Sequence, residues 1–342
     1  MAPPLNFQKH LGTGGFSDVF EVVYKRGQLF DTKMTAISGG TQLNRGRSTR
    51  GRPTRPSQCG ERQQHVFAMK CLRPQIRSDA DQFTVGAEDQ VRETAILANL
   101  NHQHIIKLHG RAFGHLTNAF MLNDVYFILL DRLTETLHGR IDTWKRTDCI
   151  LEGPAVKQME VAHSIADAML YLHSKKIVFR DLKPDNVGFD SKGVLKLFDF
   201  GCATSLPEKD ESNPAGLLYD RCGTLRYMAP EVGLSLGYGT EADVYSFGIL
   251  LWELCAWTKP HPSIASLGDF EKAVFAGGKR PVIKDRWPTI MKELISSCWS
   301  AAPSERPTMS DIKSSLSLMM TNIISEKKAP TKTVGFRISR RR

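Results

Sequence analysis

The sequence lacks the cysteine spacing of a metal site or of a disulfide-stapled secreted domain. Its seven cysteines are dispersed over 342 residues and include no CxxC or CxxxxC pair. An odd, scattered set in a chain of this size is typical of reduced intracellular thiols. We therefore predict reduced thiols, rather than a disulfide framework, at Cys59, Cys71, Cys149, Cys202, Cys222, Cys255 and Cys298.

Long apolar runs are also missing. The most apolar stretch, residues 245–257, is too short to span a bilayer and contains Glu253. Residues 1–6 have neither the basic region nor the apolar region of a signal peptide. We therefore expect a protein that is not integral to a membrane and that resides inside the cell, in the cytoplasm or the nucleus.

Acidic residues are scarce relative to basic ones. Lysine and arginine number 46 against 36 aspartates and glutamates, which gives a net charge of +10. Such a balance points to nucleic acid, an anionic membrane surface or acidic proteins as partners. The excess lies in residues 25–65, with a net charge of +7, and in residues 326–342, with +6. Because neither segment has interleaved aromatics or a nucleic-acid-binding module, we predict no specific nucleic acid. An acidic partner or anionic surface remains the candidate for both.

Hydrophobic patterning predicts strands and one helix before residue 133 and helices after it. Strand patterns cover residues 16–24, 66–72 and 125–130, and helical spacing covers 88–100, 159–173, 242–256, 289–299 and 310–320. Residues 31–65 follow neither period and are predicted to be mostly a flexible loop. A strand-rich first part followed by a helix-rich second part predicts an α+β fold with two lobes.

Two features of the first part could bind an anion. Gly12, Gly14 and Gly15 lie between predicted strands, where glycine lets backbone N–H groups approach a phosphate. An ordinary β-turn explains these glycines equally well. Lys70 ends an apolar strand, and Glu93 on the next amphipathic helix is its best-placed partner. The alternative for Lys70 is a surface lysine that pairs with nothing.

The second part holds carboxylates and an amide on loops that follow short apolar strands. Asn186 and Asp199 offer oxygen ligands suited to Mg²⁺, which proteins usually hold through few side chains plus substrate phosphates. Asp181 can accept a hydroxyl proton, and Lys183 beside it can stabilise phosphate charge.

Together these motifs resemble a eukaryotic protein kinase of the serine/threonine type over about residues 5–320. The glycine-rich loop, the lysine with its glutamate partner, the catalytic loop and the DFG motif at residues 199–201 occur in the family's order. Residues 229–231 match the end of the activation segment, and the stretches at 243–254 and 298–307 resemble the tyrosine-kinase-like branch. Lys183 and the segment 223–231 resemble serine/threonine rather than tyrosine kinases.

The resemblance implies a bilobal protein kinase fold. The small β-rich N-lobe would span residues 1–133, with one main helix and the insertion 31–65. A mainly helical C-lobe would span 134–325, followed by a basic tail at 326–342. The implied cofactors are ATP and Mg²⁺, and the implied substrates are proteins with serine or threonine acceptors. Asp181, Lys183, Lys70 and Glu93 would be catalytic, and Asn186 and Asp199 would hold the metal. Nucleotide contacts would come from Leu11, Gly12, Thr13, Gly14, Gly15, Val19, Ala68, Lys70, Asp131, Leu133, Asn186 and Asp199.

Three residues depart from the family pattern. Ser17 replaces the third glycine of the loop, and Phe179 replaces the usual histidine before Arg180. Gly188 stands where the family usually has a large apolar residue under adenine, so either a neighbour fills that floor or the pocket is roomier. A pseudokinase scaffold, which binds nucleotide or partners without efficient catalysis, remains the alternative function.

Asp220 lies where many relatives carry a phosphorylated residue that pairs with the arginine before the catalytic aspartate, here Arg180. A fixed carboxylate could partly replace that phosphate. The alternative is a solvated loop aspartate.

Overall fold

Strands dominate the first part of the fold and helices the second. The computed structural model describes residues 6–25, 34–36, 64–112, 126–147 and 156–328. Within these ranges the main sheet ends at Asp131, and the long helices after it pack around one buried helix. The predicted α+β class with two lobes is therefore confirmed.

A six-stranded antiparallel sheet forms the N-terminal part, in the order β1-β2-β4-β6-β5-β3. The β2–β4 pairing places Val19 opposite Lys70, and the β4–β6 pairing places Ala68 opposite Leu130. This register determines which side chains of the sheet lie on the same face. The strands are β1 Asn6–Thr13, β2 Ser17–Lys25, β3 Met34–Ala36, β4 Gln64–Leu72, β5 Leu108–Ala112 and β6 Phe127–Asp131.

Strand β3 lies inside the segment predicted to be a flexible loop, so that prediction is wrong at Met34–Ala36. The strand pairs with β5 at the edge of the sheet, where Met34 lies opposite Ala112. Three residues are too few to show a period of two, so the sequence carried no signal for this strand. The rest of the insertion up to residue 63 lies outside the described residues.

The helix α1, Ala80–Ala98, begins eight residues before its predicted start. Asp79 caps it by accepting a hydrogen bond from the backbone N–H of Gln82 at 3.1 Å. Its first turns are largely exposed, which hid them from the apolar pattern. At Gly86 a Cβ atom would lie 2.8 Å from Cβ of Phe16, so glycine lets the helix approach the β1–β2 loop.

The C-terminal part is built around α5, in which every residue from Ala242 to Ala256 is buried. The last helix runs to Lys328, past its predicted end at 320 and three residues into the predicted tail. No helix among the described residues is long and apolar enough to cross a membrane. The helices are α2 Leu137–Thr147, α3 Val156–Ser174, α4 Pro230–Gly233, α5 Glu241–Ala256, α6 Leu267–Phe270, α7 Thr289–Cys298 and α8 Met309–Lys328.

Two small sheets hold the loops that carry the polar motifs. One pairs β7, β9 and β10, and the other pairs β8 with β11. The loop with Asp181 runs from β8 to β9, and the loop with Asp199 follows β10. These short strands thus bring the loops with Asp181 and Asp199 close to each other. Their bounds are β7 Leu133–Thr136, β8 Ile177–Val178, β9 Val187–Asp190, β10 Leu195–Leu197 and β11 Thr204–Ser205.

Candidate active site

A cleft of about 680 Å³ lies beneath the β1–β2 loop, a volume typical of small-molecule sites. All predicted nucleotide-contact residues line it, from Leu11 in β1 to Asp199 after β10. Glu93 and Asp181 also line the cleft, and Lys183 bonds to Asp181 from beside it. The fold therefore brings the predicted site residues together in one place.

The glycine-rich turn forms the roof of the cleft. The backbone N–H of Gly14 donates to the Ser17 carbonyl at 2.7 Å, which closes the turn. A Cβ atom at Gly12 or Gly15 would meet nothing within 4 Å, so both leave open space over the cleft. Ser17, in place of the third glycine, is buried and starts β2 opposite Leu72. The substitution is thus accommodated within the strand.

Lys70 connects two carboxylates at the back of the cleft. Its Nζ donates to Glu93 Oε2 at 2.7 Å and to Asp199 Oδ1 at 2.9 Å. Glu93 is almost fully buried, and its other oxygen accepts the backbone N–H of Phe200 at 3.2 Å. The predicted Lys70–Glu93 pair is therefore present, and the alternative of an unpaired surface lysine is wrong.

Charge stabilises Lys70 and Asp199 in their ionised forms, whereas burial raises the pKa of Glu93. Burial alone would lower the pKa of Lys70, but the charges of Glu93 and Asp199 outweigh it and raise that pKa. The Lys70 ammonium holds the pKa of Asp199 below its ordinary value, although burial opposes this. Asp199 therefore stays a carboxylate near neutral pH and can face a cation.

The floor of the cleft is filled despite Gly188. A Cβ atom at Gly188 would lie 2.7 Å from Cδ1 of Leu133 and 3.2 Å from Cε1 of Phe198. Leu133 thus occupies the space that a larger residue at 188 would take. Of the two sequence alternatives, the structure supports the neighbour that fills the floor. Leu130 and Ala68 pack together on the opposite side of the cleft.

The segment that joins the two parts is fixed by Asp131. Its carboxylate accepts the backbone N–H of Lys107 at 2.9 Å and bonds to His109 Nε2 at 2.8 Å. Burial would raise the pKa of Asp131, but these hydrogen bonds lower it. The side chain and the backbone N–H of Asp131 are therefore committed to the sheet, and residues 131–133 line the cleft.

Asp181 lies at the centre of a polar triangle. Its Oδ2 accepts from Lys183 Nζ at 2.7 Å and from Asn186 Nδ2 at 2.8 Å, and its Oδ1 accepts from Thr224 Oγ1 at 2.7 Å. Lys183 also donates to Thr224 Oγ1 at 2.8 Å. Three residues from two distant segments thus fix the carboxylate beside the cleft.

The loop that carries Asp181 is anchored from below by Asp243. This fully buried carboxylate accepts the backbone N–H groups of Phe179 at 2.9 Å and Arg180 at 2.8 Å. Arg180 adopts φ 68°, which is rare for a side-chain-bearing residue and is common near functional sites. Phe179 is buried with its ring edge on Phe200, 5.0 Å between centroids. An apolar contact thus replaces the hydrogen bonds of the usual histidine.

Asn186 and Asp199 each offer an oxygen ligand suited to one divalent cation. The Asn186 amide nitrogen donates to the backbone oxygen and the carboxylate of Asp181, so its oxygen is the atom available to a metal. Asp199 adopts φ 62° and its side chain is about half exposed to the cleft. Two oxygen ligands that leave the remaining positions to water and phosphate are typical of magnesium sites.

The comparisons with known proteins agree with this geometry. The family described as protein kinase domain matches residues 50–316. This chain belongs to the protein kinase family. The predicted resemblance is therefore confirmed. The glycine-rich turn at residues 12–15 lies before the matched span, so its identification rests on its place between β1 and β2. The kinase family uses ATP, generally with Mg²⁺.

Relatives of this kinase come from an insect, an amoeba and a plant. A mitogen-activated protein kinase kinase kinase 7-like protein of Drosophila melanogaster is 32% identical over 234 residues, which cover 65% of this chain. The dual specificity protein kinase shkB of Dictyostelium discoideum is 34% identical over 65% of the chain. The serine/threonine-protein kinase STY17 of Arabidopsis thaliana is 28% identical over 79%. The chain spans 54%, 32% and 43% of these relatives, respectively.

Two features of the kinase were not found by sequence reasoning. Cys202 and Cys222 form a disulfide with Cα atoms 6.0 Å apart, so the prediction of reduced thiols is wrong for this pair. Their separation of 20 residues gave no signal, because the segment between them must fold back first. Cys71, Cys255 and Cys298 are buried thiols outside any disulfide, as predicted. Cys59 and Cys149 lie outside the described residues.

The second missed feature is a buried pair under the activation segment. Tyr227 donates to Glu253 Oε2 at 2.6 Å, and burial raises the pKa of Glu253 to about 7. A glutamate inside the most apolar helix was a usable signal, because a buried carboxyl group requires a partner.

Asp220 meets Arg180 as the sequence suggested. Arg180 Nη1 donates to Asp220 Oδ2 at 2.6 Å, and Tyr238 Oη donates to the Asp220 carbonyl at 2.7 Å. Burial would raise the pKa of Asp220, but the hydrogen bond and charge of Arg180 lower it. Asp220 is therefore ion-paired with Arg180 while its side chain stays exposed to solvent, as the alternative expected. The functional role of the pair is a prediction.

If Asp220 replaces a phosphate, Asp220→Asn should lower the activity of phosphatase-treated kinase by up to about fivefold, because the ion pair is partly exposed. Initial rates of peptide phosphorylation measure this. Asp210→Asn, in the same segment and fully exposed to solvent, is the matched control and should retain full activity. Equal activity of Asp220→Asn and wild type after phosphatase treatment would contradict the role.

Proposed function

We propose that the chain is a protein serine/threonine kinase that transfers the γ-phosphoryl group of ATP to protein hydroxyls. The observation that carries the proposal is the convergence of two ionic clusters on one cleft. Lys70 with Glu93 and Asp199 forms the first, and Asp181 with Lys183 forms the second. Phosphoryl transfer depends mainly on positioning and charge stabilisation, which such clusters supply.

Each residue has a distinct role in this proposal. Lys70, held by Glu93, orients the α- and β-phosphates, and Asp181 accepts the proton of the acceptor hydroxyl. Lys183 stabilises negative charge on the transferred group. Asn186 and Asp199 would hold Mg²⁺, which neutralises phosphate charge when bound. The backbone of Asp131 to Leu133 would bind the adenine edge.

The preference for serine and threonine is supported by the contact of Lys183 with Thr224. This pair bridges the catalytic loop and the activation segment at 2.8 Å, beside Asp181. A pseudokinase scaffold is disfavoured because Lys70, Asp181 and Asp199 are all present and line the same cleft, with Lys70 bonded to Asp199. One relative carries the name dual specificity kinase, so the peptide library below includes tyrosine.

The basic insertion and tail give the proposal an accessory part. Residues 37–63 and 329–342 lie outside the described residues, and their charge supports docking to an acidic partner or an anionic surface.

The test is phosphotransfer from Mg-ATP to a peptide library with serine, threonine or tyrosine acceptors. Wild type should phosphorylate serine and threonine peptides, and Lys70→Met should lower kcat/KM by roughly 100-fold or more because phosphate orientation is lost. A folded wild type no more active than Lys70→Met would refute the kinase and favour the scaffold. Tyrosine as the main acceptor would refute only the substrate class.

A further inference from the structure

We propose that Cys202 and Cys222 form a reversible disulfide whose oxidation state sets the activity of the kinase. The proposal rests on the proposed function, because it concerns the segment that completes the catalytic triangle. The oxidised form is the assembled, active one. The reagent class that forms it is a low-molecular-weight disulfide such as oxidised glutathione.

The disulfide ties together the two sides of the chain that enclose Arg180. Cys202 directly follows Gly201, and its carbonyl accepts a hydrogen bond from Arg180 Nε at 2.5 Å. Cys222 lies two residues after Asp220, which bonds to the same guanidinium. The disulfide therefore links the two chain segments that supply the carbonyl and the carboxylate bonded to Arg180.

The same bond fixes the position of Thr224. Gly223 adopts φ 113°, and a Cβ atom there would lie 2.3 Å from the Arg180 carbonyl, so the chain is closely packed against the catalytic loop. Thr224 follows directly and donates to Asp181. Displacement of Cys222 would thus move Thr224 away from Asp181 and Lys183.

The non-covalent contacts of this segment are sparse. Residues 207–212 are all exposed, and Asp220 is 62% exposed in its ion pair with Arg180. Backbone bonds to other described segments hold its flanks, with Leu206 N–H donating to Lys176 and Leu218 paired with Tyr238, while Asp210 and Gly216 donate within the segment to Asn213. Beside Cys222, Arg221 donates to the Gly233 carbonyl and to Glu271. Segments with few buried contacts open at low free energy. Loss of the covalent link should therefore make this segment open more often.

The pair is accessible to exchange, unlike the other cysteines of the described ranges. Cys202 lines the cleft and Cys222 is half-buried, whereas Cys71, Cys255 and Cys298 are buried. Burial raises the pKa of the Cys255 thiol to about 12, which keeps it unreactive. The Arg180 guanidinium lies beside Cys202, and Arg221 directly precedes Cys222. Because nearby cations favour the thiolate, both cysteines are suited to disulfide exchange.

The exchange is balanced in two steps. The thiolate of one cysteine attacks a sulfur of oxidised glutathione, forms a mixed disulfide and releases one glutathione thiolate. The second cysteine then attacks the protein sulfur of the mixed disulfide and releases the other glutathione. Two cysteine thiols lose two electrons, the glutathione disulfide gains them, and the two protons end on two glutathione thiols.

The experiment equilibrates the full chain with graded ratios of reduced to oxidised glutathione. Alkylation with mass spectrometry identifies the 202–222 link, and peptide phosphorylation is measured on the same samples. Reduction should lower kcat by about fivefold or more, a size typical of coupling between two states. Cys202→Ser and Cys222→Ser should each match reduced wild type at every ratio, and Cys255→Ala should respond as wild type does.

A second readout is independent of catalysis. Glutamyl endopeptidase should cut after exposed Glu211 about three times faster in the reduced form, because the segment then opens more often. Failure to form the link, or equal activity and equal cleavage in both forms, would overturn the inference. Phosphotransfer no higher than in Lys70→Met, with cleavage still dependent on oxidation, would instead refute the proposed function.

Discussion

Asp181→Asn should lower kcat by roughly 1,000-fold while it leaves the KM for ATP nearly unchanged, because general base catalysis contributes on that scale. The amide cannot accept the acceptor's proton. It can keep the position, since its oxygen can accept from Lys183 and Asn186 while its NH₂ group faces the Thr224 hydroxyl. Steady-state kinetics with Mg-ATP and a serine peptide measure the change.

The matched control for this variant is Asp210→Asn. It makes the same chemical change in a fully exposed residue, where Asp210 accepts from its neighbours Ser212 and Asn213. Thermal unfolding of both variants should stay within a few degrees of wild type, since neither residue is part of the core. If Asp181→Asn kept more than about a tenth of wild-type kcat, the role of proton acceptor would be wrong.

The contacts that sequence reasoning predicted have local causes. Lys70 and Glu93 lie 23 residues apart, and both positions follow from a strand and the helix after it. A buried lysine needs an acidic partner, so periodicity and charge together suffice. Thr224 is a different case. No periodic pattern connects it with Asp181, so only the family resemblance of the segment 223–231 bears on their contact.

The features that escaped prediction depend on the path of the whole chain. Cys202 and Cys222 meet only after the exposed segment between them has turned back over Arg180. Strand Met34–Ala36 exists because β5 offers an edge, which is a property of the folded sheet. A neighbour that fills the space at Gly188 was one of two alternatives, but its identity as Leu133 depends on packing in the folded chain.

Arg306→Met should lower the free energy of unfolding by about 3–5 kcal/mol, the largest stability loss we expect from a single substitution. Arg306 Nη2 donates to Glu231 Oε2 at 2.9 Å, and the arginine side chain is fully buried. Its other donors reach the carbonyls of Glu241 at 2.9 Å and Ser300 at 3.1 Å. Removing the cation leaves a buried carboxylate without its partner, which is costly. Urea unfolding followed by circular dichroism measures the loss.

A double variant separates the ion pair from simple packing. Glu231→Met with Arg306→Met should be more stable than Arg306→Met alone, because no carboxylate is then left uncompensated. Recovery should be partial, since two carbonyls still lose their donor. Arg92→Met removes an exposed pair with Asp89 at 3.3 Å and should cost less than about 1 kcal/mol. Should the double variant be no more stable than Arg306→Met, the arginine would act through its contact with the Tyr245 ring rather than through its pair with Glu231.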